Sequence, residues 1–172
     1  MYDGGRKMEQ TIHELYQKIA GKLMKFLVAN NCPEAMAEDI VQETFLRLTK
    51  MSDTLDTDPA RLSGLAYTIA RNYRNDLARK AKHEVLQGEI GEDEGGTAAP
   101  APAPSDAEYL RARITQAFAA LPPLLREAYT LFQVMELPVA EIARRTGASE
   151  SLVKVRIFRA KEKLRPLLKD LL

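Results

Sequence analysis

The residues of this chain best suited to chemistry are a group of cations near its C-terminus. Lys154, Arg156 and Arg159 follow one another closely, and Lys161 and Lys163 continue the series. Ammonium and guanidinium groups on one helix bind phosphate oxygens, and arginine also pairs with guanine in the major groove of DNA. The segment therefore predicts a DNA-binding helix, although a solvated basic face on an ordinary helical hairpin would have the same composition.

The residues ahead of and within this segment have the spacing of a helix-turn-helix. Gly147 follows Ala143 where the turn needs a left-handed backbone, Ser149 is a suitable N-cap, and Val153 supplies an apolar anchor on the second helix. Recognition helices read base edges near their N-terminus and bind phosphates along their flanks. The candidates for base edges are Ser151, Lys154 and Val155, and those for phosphate or guanine are Arg144, Arg145, Arg156, Arg159 and Lys161.

A second group of polar side chains lies in the middle of the chain. Arg71, Asn75 and Arg79 recur every four residues, so they share one face of a predicted helix. Tyr67 and Tyr73 are interleaved with them. Aromatic rings beside cations suit unstacked bases joined by phosphates, which is the chemistry of single-stranded DNA. The alternative places both tyrosines in the core and leaves the arginines in solvent.

The elements that position these side chains are all predicted to be helices. Apolar residues recur with a helical period over residues 12–28, 34–50 and 59–79, and no segment shows the sustained alternation of a strand. Ser105 and Glu108 have the spacing of a capping box at the start of another helix. The fold class is therefore predicted to be all-α.

A stretch of different composition separates the two groups of helices. It is acidic and ends in repeated Ala-Pro, with few large apolar side chains. Such a segment buries too little surface to offset its ordering entropy. We therefore expect two small helical domains, residues 1–83 and 108–172, joined by a flexible acidic and Ala-Pro linker at residues 84–107. The helix-turn-helix belongs to the C-terminal domain.

Charge is divided along the same boundaries. Residues 1–83 carry 13 basic and 11 acidic side chains, residues 84–108 carry none and 7, and residues 109–172 carry 12 and 6, although the net charge is only +1. Segregated charge of this kind indicates which partners a protein binds rather than which fold it adopts. The two basic blocks favour nucleic acid, and the acidic block is either a solubilising spacer or a tether with a role of its own.

Composition also argues against several classes of protein. No apolar run is long enough to span a bilayer, and the N-terminus lacks the apolar stretch of a secretory signal. The single cysteine, Cys32, has no ligand-spaced neighbour, so neither a metal nor a cofactor is expected. His13 and His83 stand alone, without a nucleophile or a pair of carboxylates. We expect a cytoplasmic protein that is not an enzyme.

Four blocks of this sequence together resemble the extracytoplasmic-function sigma factors of bacteria. The blocks are Asp39 to Leu48, Ala66 to Asp76, Leu121 to Ala128, and Glu141 to Ala143 with Val153 to Ala160. Their order and spacing cover residues 10–83 and 108–170. The resemblance implies an alternative sigma subunit with region 2 in the N-terminal domain and region 4 in the C-terminal domain. It further implies promoter-specific initiation without intrinsic catalysis.

The resemblance also implies which residues meet which partner. Those implied to bind the clamp helices of the largest polymerase subunit are Asp39, Gln42, Glu43, Phe45 and Arg47. Those implied to recognise and melt the −10 element are Tyr67, Arg71, Asn72, Tyr73, Asn75, Asp76 and Arg79. Those implied to read the −35 element are Arg144, Ser151, Lys154, Val155, Arg156, Phe158 and Arg159. Further implied partners are the flap of the second subunit and an anti-sigma factor, with no membrane insertion.

Two positions depart from the family pattern, and two other functions need comparison. Leu65 stands where the family usually has tryptophan, and Val155 stands at a position that is often small and polar, which would alter sequence preference. A sigma-like decoy for an anti-sigma factor would have lost the basic residues of the recognition helix, and this chain keeps them. A stand-alone helix-turn-helix regulator would need neither a second DNA-facing helix nor the acidic docking helix.

Overall fold

The computed structural model describes residues 3–87 and 102–171, which form helices and no strand. The all-α prediction is confirmed. The α-helices of these residues are α1 (Asp3–Ala29), α2 (Glu34–Lys50), α3 (Pro59–Leu86), α4 (Asp106–Ala119), α5 (Pro123–Gln133), α6 (Val139–Thr146) and α7 (Glu150–Leu167). Short 3₁₀ turns follow α2 and α7, at Ser52–Thr54 and Lys169–Leu171.

Local capping chemistry sets several of the helix ends. The Asp58 carboxylate accepts a hydrogen bond from the Arg61 amide at 3.0 Å, and Pro59 occupies the first turn of α3. At the start of α4 the predicted capping box is present, because Ser105 and Glu108 each bond the other's backbone amide. These caps explain why both helices begin where the sequence predicts.

Helix α3 continues seven residues beyond the predicted end at Arg79. Residues 80–86 contain neither glycine nor proline, so nothing in the covalent chain stops the helix before Leu86. The helix therefore enters the predicted linker, whose residues 88–101 lie outside the described residues. The domain boundaries at residues 83 and 108 stay predictions.

The first three helices pack into one bundle around large apolar side chains. Phe26 and Leu27 of α1, Ile40 and Leu48 of α2, and Leu62 of α3 are all buried in it. Burial of a side chain of this size contributes about 2 kcal/mol. The bundle therefore supplies a rigid support for the polar faces of α2 and α3.

Helices α6 and α7 form the predicted helix-turn-helix. Gly147 ends α6 with a φ of +70°, in the left-handed region. Ser149 then caps α7 by accepting a hydrogen bond from the Leu152 amide at 3.2 Å. Val153 and Ile157 bury the inner face of α7 and leave its outer face in solvent.

Gly147→Ala is expected to lower the free energy of unfolding by about 1 kcal/mol, because an L side chain is strained in the left-handed region. The matched control is Gly21→Ala, since Gly21 lies inside α1 with open space where its Cβ would be. There alanine should raise the free energy of unfolding by about 0.5–1 kcal/mol. Urea denaturation of both variants checks this, and a destabilised Gly21→Ala with an unaffected Gly147→Ala would contradict it.

The two groups of helices lie against each other. Helix α3 packs on α6, and α1 packs on α4 and α5. Buried residues from both groups belong to one continuous apolar cluster, which joins Leu62 and Ala66 of α3 to Leu131 of α5 and Ile142 of α6. The sequence left this arrangement open.

Candidate nucleic-acid interface

The exposed side of α7, which we call the α7 basic face, carries most of the cations predicted to meet duplex DNA. Ser151, Lys154, Val155 and Arg159 are all exposed, and Arg156 is half-buried. The N-terminal half of α7 thus presents a hydroxyl, an ammonium and an isopropyl group to solvent, with Arg159 farther along. This is the mixture that reads base edges and holds phosphates in a major groove.

Phe158 occupies a different part of the same helix. Its ring is 65% exposed and lines a cavity of about 220 Å³ with Phe132, Val139, Lys154 and Lys161. The Lys161 ammonium lies 5.8 Å from the centroid of the Phe132 ring, a cation–π distance. This apolar notch suits a protein side chain at least as well as a nucleotide.

Arg144, the remaining predicted −35 residue, belongs to an ion-pair cluster on α6. The buried Glu141 carboxylate binds Arg145 at 2.8 Å and the more exposed Arg144 at 3.1 Å. Burial opposes ionisation of Glu141, but the hydrogen bonds and charges of the two arginines outweigh it, so the pKa of this carboxyl lies below its usual range. Arg144 therefore lies in the last turn of α6, the first helix of the helix-turn-helix, and is already paired with Glu141.

An open cleft of about 380 Å³ runs along the C-terminal half of α3, and we call it the α3 cleft. Its lining includes Tyr73, Asp76 and Arg79, which were all predicted to contact the −10 element. Arg79 is paired with Asp76. The guanidinium of Arg47, which reaches across from α2, lies 4.9 Å from the centroid of the Tyr73 ring. A half-buried aromatic ring beside cations fits an unstacked base and its phosphate.

The other predicted −10 residues are distributed around α3. Asn72 and Asn75 are exposed, and Arg71 is half-buried. Tyr67 is 0% exposed and packs edge-on against Phe26, with ring centroids 5.3 Å apart. The Tyr67 hydroxyl donates to the Glu127 carboxylate of α5 and accepts from Arg71 at 3.2 Å. Burial, with the Glu127 charge adding to it, raises the pKa of this phenol.

The outer side of α2 presents a mixed acidic and apolar surface, which we call the α2 docking face. It consists of Asp39, Gln42, Glu43 and Leu46, at the spacing that places residues on one face of a helix. Leu46 is 56% exposed at the C-terminal end of this face. An exposed leucine among carboxylates is suited to a protein partner that carries cations around an apolar pocket.

Two other residues predicted to bind polymerase are not part of the α2 docking face. Phe45 is 7% exposed and packs edge-on against Tyr16, with centroids 4.9 Å apart. Arg47 binds Glu43 at 2.8 Å and extends towards Tyr73. Phe45 therefore supports α2 from within the bundle, and Arg47 lies between the α2 docking face and the α3 cleft, in contact with both.

Sequence reasoning missed two residues of these surfaces, Leu46 and His83. Leu46 lies within the matching block Asp39 to Leu48. Because its neighbours Phe45 and Leu48 are buried, the helical period could have indicated that this leucine is exposed. Lys80 and His83 line the α3 cleft because α3 continues past Arg79. Nothing local marked His83 as part of a site.

Other site types find no support in the described part of the chain. Residues 3–87 and 102–171 contain no group of three or more His, Cys, Asp or Glu side chains that could hold a metal ion. No helix among them has the length and hydropathy needed to cross a membrane. Cys32 is buried, and burial raises the pKa of its thiol, which makes the thiolate scarce.

Two family models match the chain, one in each group of helices. The model for Sigma-70 region 2 matches residues 11–84, which include α2 and most of α3. The model for Sigma-70, region 4 matches residues 111–164, which include α5, α6 and most of α7. The α2 docking face and the α3 cleft thus fall within region 2, and the α7 basic face falls within region 4.

Curated relatives agree with these models. The chain is 31% identical to the ECF RNA polymerase sigma factor SigM of Bacillus subtilis over 91% of this chain and 94% of that protein. It is 31% identical to the RNA polymerase sigma factor CarQ of Myxococcus xanthus over 95% of this chain and 92% of that protein.

Solved structures show the same fold. The sigma factor RpoE in complex with the anti-sigma factor NepR from Bartonella quintana matches with a TM-score of 0.64 at 24% identity, over 98% of both chains. CnrH in complex with the cytosolic domain of CnrY matches with a TM-score of 0.65 at 21% identity, over 97% of both chains.

The two sigma-region models match in the expected order, and the curated relatives align over nearly their whole length. The all-helical fold agrees with both findings, so all three point to one family. The chain belongs to the extracytoplasmic-function sigma factors, which bind core RNA polymerase and direct initiation at specific promoters and are not enzymes.

Proposed function

We propose that this sigma factor divides its work among three surfaces: the α2 docking face for core polymerase, the α3 cleft for the −10 element and the α7 basic face for the −35 element. The observation that carries the proposal is their separation. Each lies on a different helix, and each carries charged and apolar side chains that complement the chemistry of its partner.

The α2 docking face binds the clamp helices of the largest polymerase subunit. Asp39 and Gln42 supply exposed polar groups, and Leu46 supplies the apolar contact that the sequence reasoning lacked. Exposed ion pairs contribute about 0–1 kcal/mol each, whereas a leucine buried in an interface contributes more. Leu46 is therefore the anchor of this contact, and the acidic groups around it set orientation and association rate.

The α3 cleft holds an unstacked base of the −10 element on Tyr73. Arg79 and Lys80 at the cleft bind the flanking phosphates. The Arg47 guanidinium lies over the Tyr73 ring, so we assign Arg47 to this DNA surface in addition to its predicted role in polymerase binding. Asn72 and Asn75, which are exposed on the same helix, contribute amide contacts to bases or sugars.

The α7 basic face enters the major groove at the −35 element. Ser151, Lys154 and Val155 lie at the N-terminal end, where recognition helices contact base edges. Arg156 and Arg159 bind the flanking phosphates, and the Val155 methyl groups favour a thymine methyl. The notch beside Phe158 receives an apolar side chain of the polymerase flap, since Phe132, Val139 and Phe158 supply apolar surface within it.

The setting of this activity is the bacterial cytoplasm, where polymerase and promoters are found. An anti-sigma factor regulates it: the solved relatives RpoE and CnrH were each captured with such a factor or with the cytosolic domain of a binding protein.

Duplex binding by the full chain is expected to weaken steeply with salt, because the α7 basic face releases counterions from phosphates. Arg159→Ala should lower the affinity for a labelled 30-base-pair duplex by about tenfold and reduce the slope of log affinity against log salt by about 1. Arg165→Ala is the matched control, since Arg165 lies at the far end of α7 and is paired with Glu162. Fluorescence anisotropy measures both. A slope independent of Arg159, or a flat salt response, would contradict the assignment.

A further inference from the structure

A small polar cavity lies between α3 and α5, apart from the three surfaces of the proposed function. Its volume is about 150 Å³, which at about 30 Å³ per water molecule is room for a few waters or one small ion. Its lining comes from the end of α1, from α3 and from the start of α5, and consists of Asn30, Arg74, Pro123, Leu124, Arg126 and Glu127. Two of these six residues are arginines, so the cavity has the composition of an anion site.

Arg126 brings an incompletely bonded guanidinium to this cavity. The residue is only 7% exposed, and its Nη2 atom donates to the Leu121 carbonyl oxygen at 3.1 Å. Its buried Nε atom has no hydrogen-bond partner, and within the described part of the chain it is the only buried side-chain nitrogen or oxygen in that condition. An unpaired buried donor on a charged group is costly, so each such donor in a folded protein calls for a water or an ion.

Arg74 of α3 supplies the second guanidinium. It is half-buried, and among residues 3–87 and 102–171 no carboxylate lies within ion-pair distance of it. The nearby Cys32 is no counter-ion, because burial raises the pKa of its thiol and keeps it neutral. Glu127 is the one carboxylate in the lining, and its Oε1 atom already accepts from the Tyr67 hydroxyl. The lining thus carries two cations against one anion.

The start of α5 adds a donor to the same cavity. Pro123 in the first turn has no N–H group, and no side chain caps this helix in the region that the structure describes. The amides of Leu125 and Arg126 both bond the Pro122 carbonyl oxygen at 3.0 Å, which leaves the Leu124 amide as the remaining donor of the turn. Helix N-termini carry partial positive charge and bind phosphate oxygens through such amides.

We propose that this cavity binds a terminal phosphate group, held by the guanidiniums of Arg74 and Arg126 and by the Leu124 amide. The planar fork of arginine matches the oxygens of phosphate, and the unpaired Arg126 donor gains an acceptor. A phosphodiester within DNA carries a substituent on each side, whereas a cavity of this size accepts only an unsubstituted end. The ligand is therefore free phosphate or the end of a nucleotide, and its binding is independent of the promoter contacts.

Isothermal titration calorimetry of the full chain with inorganic phosphate tests the site. Wild type should bind phosphate saturably with a dissociation constant of about 1 mM, as two charge-assisted contacts allow, and Arg74→Gln should raise that constant by at least about tenfold. Arg6→Gln is the matched control, because Arg6 is exposed and lies about 35 Å from Asn30 along α1 at 1.5 Å per residue. No saturable heat in wild type, or equal weakening in both variants, would overturn the site.

Nuclear magnetic resonance of the arginine Nε–Hε groups observes the unpaired donor itself. The Arg126 signal is assigned through its correlations to the backbone, so the test does not require an Arg126 variant to fold. On addition of phosphate this signal should shift with the dissociation constant found by calorimetry, and the Arg6 signal should stay where it is. An Arg126 signal that does not move at saturating phosphate would show that this guanidinium only supports the fold and would overturn the proposal.

Adenosine 5′-monophosphate distinguishes the two sources of the ligand. Binding tighter than that of inorganic phosphate, and weakened by Arg74→Gln, would support the site and identify the end of a nucleotide. Binding of inorganic phosphate alone would support the site and identify the free ion. Binding of neither compound would overturn it.

Thermal unfolding checks that the ligand binds the folded chain. Inorganic phosphate at ten times its dissociation constant should raise the wild-type midpoint by about 3–6 °C by mass action. Arg74→Gln at the same phosphate concentration should show a rise smaller than about 1 °C. An equal rise in the variant would be a general salt effect and would count against the site.

Discussion

Leu46→Asp is expected to abolish stable association with core RNA polymerase while the protein stays folded. The side chain is largely exposed at the end of the α2 docking face, so its loss costs the free protein little. In the complex, the new carboxylate would be desolvated in an apolar contact next to Asp39 and Glu43. Anchors of this kind contribute about 2 kcal/mol or more, so the dissociation constant should rise by at least about 30-fold.

The matched control is Leu124→Asp. Leu124 lies on α5 and is also 56% exposed, so the chemical change and the effect on the free protein are equivalent. Biolayer interferometry with immobilised core polymerase measures both variants, and circular dichroism checks their folding. Equal loss of binding in the two variants would show that the effect is general to exposed leucines. Unchanged binding by Leu46→Asp would remove α2 from the polymerase contact.

Glu141→Ala is expected to lower the free energy of unfolding by about 2–3 kcal/mol. Its carboxylate is buried and binds Arg145, whose side chain is itself only 16% exposed. Removing one member of a mostly buried pair leaves the other charge desolvated without a partner. Glu162→Ala is the control, because Glu162 pairs with the exposed Arg165 and should cost less than about 0.5 kcal/mol.

The pH dependence of the Glu141 effect has a fixed sign. Because the folded-state pKa of Glu141 lies below its ordinary value, the carboxylate contributes stability above the ordinary glutamate range of about 4 to 4.5 and loses that contribution as pH falls through the folded pKa. The stability difference between wild type and Glu141→Ala should therefore narrow on acidification. Urea denaturation at pH 7 and at lower pH measures it, and a difference that widens in acid would contradict the ion-pair account.

The features that depend on neighbouring residues in the chain could be predicted from the sequence. The left-handed Gly147, the Ser149 cap and the Ser105 capping box each follow from one residue type at one spacing, and all three are present. The bounds of α2 follow in the same way from Pro33 and a helical period. Short-range steric and hydrogen-bond rules suffice for such features.

Features that depend on contacts between distant segments were not predictable. The family resemblance placed Phe45 in the polymerase site, but its ring packs edge-on against Tyr16 of α1, a contact between two helices that no local pattern predicted. The position of Arg47 over Tyr73 requires α2 and α3 to be adjacent. The Glu127 bond to Tyr67 joins residues 60 positions apart, and no local pattern encodes it.

The most direct test of the sigma assignment is run-off transcription with host core polymerase on a library of genomic promoter fragments. With the wild-type protein, transcripts should start from a small set of fragments that share two short motifs at constant spacing, and Leu46→Asp should lose them all. A folded wild-type protein that yields no dependent transcript, with core enzyme that responds to its housekeeping sigma subunit, would contradict the account.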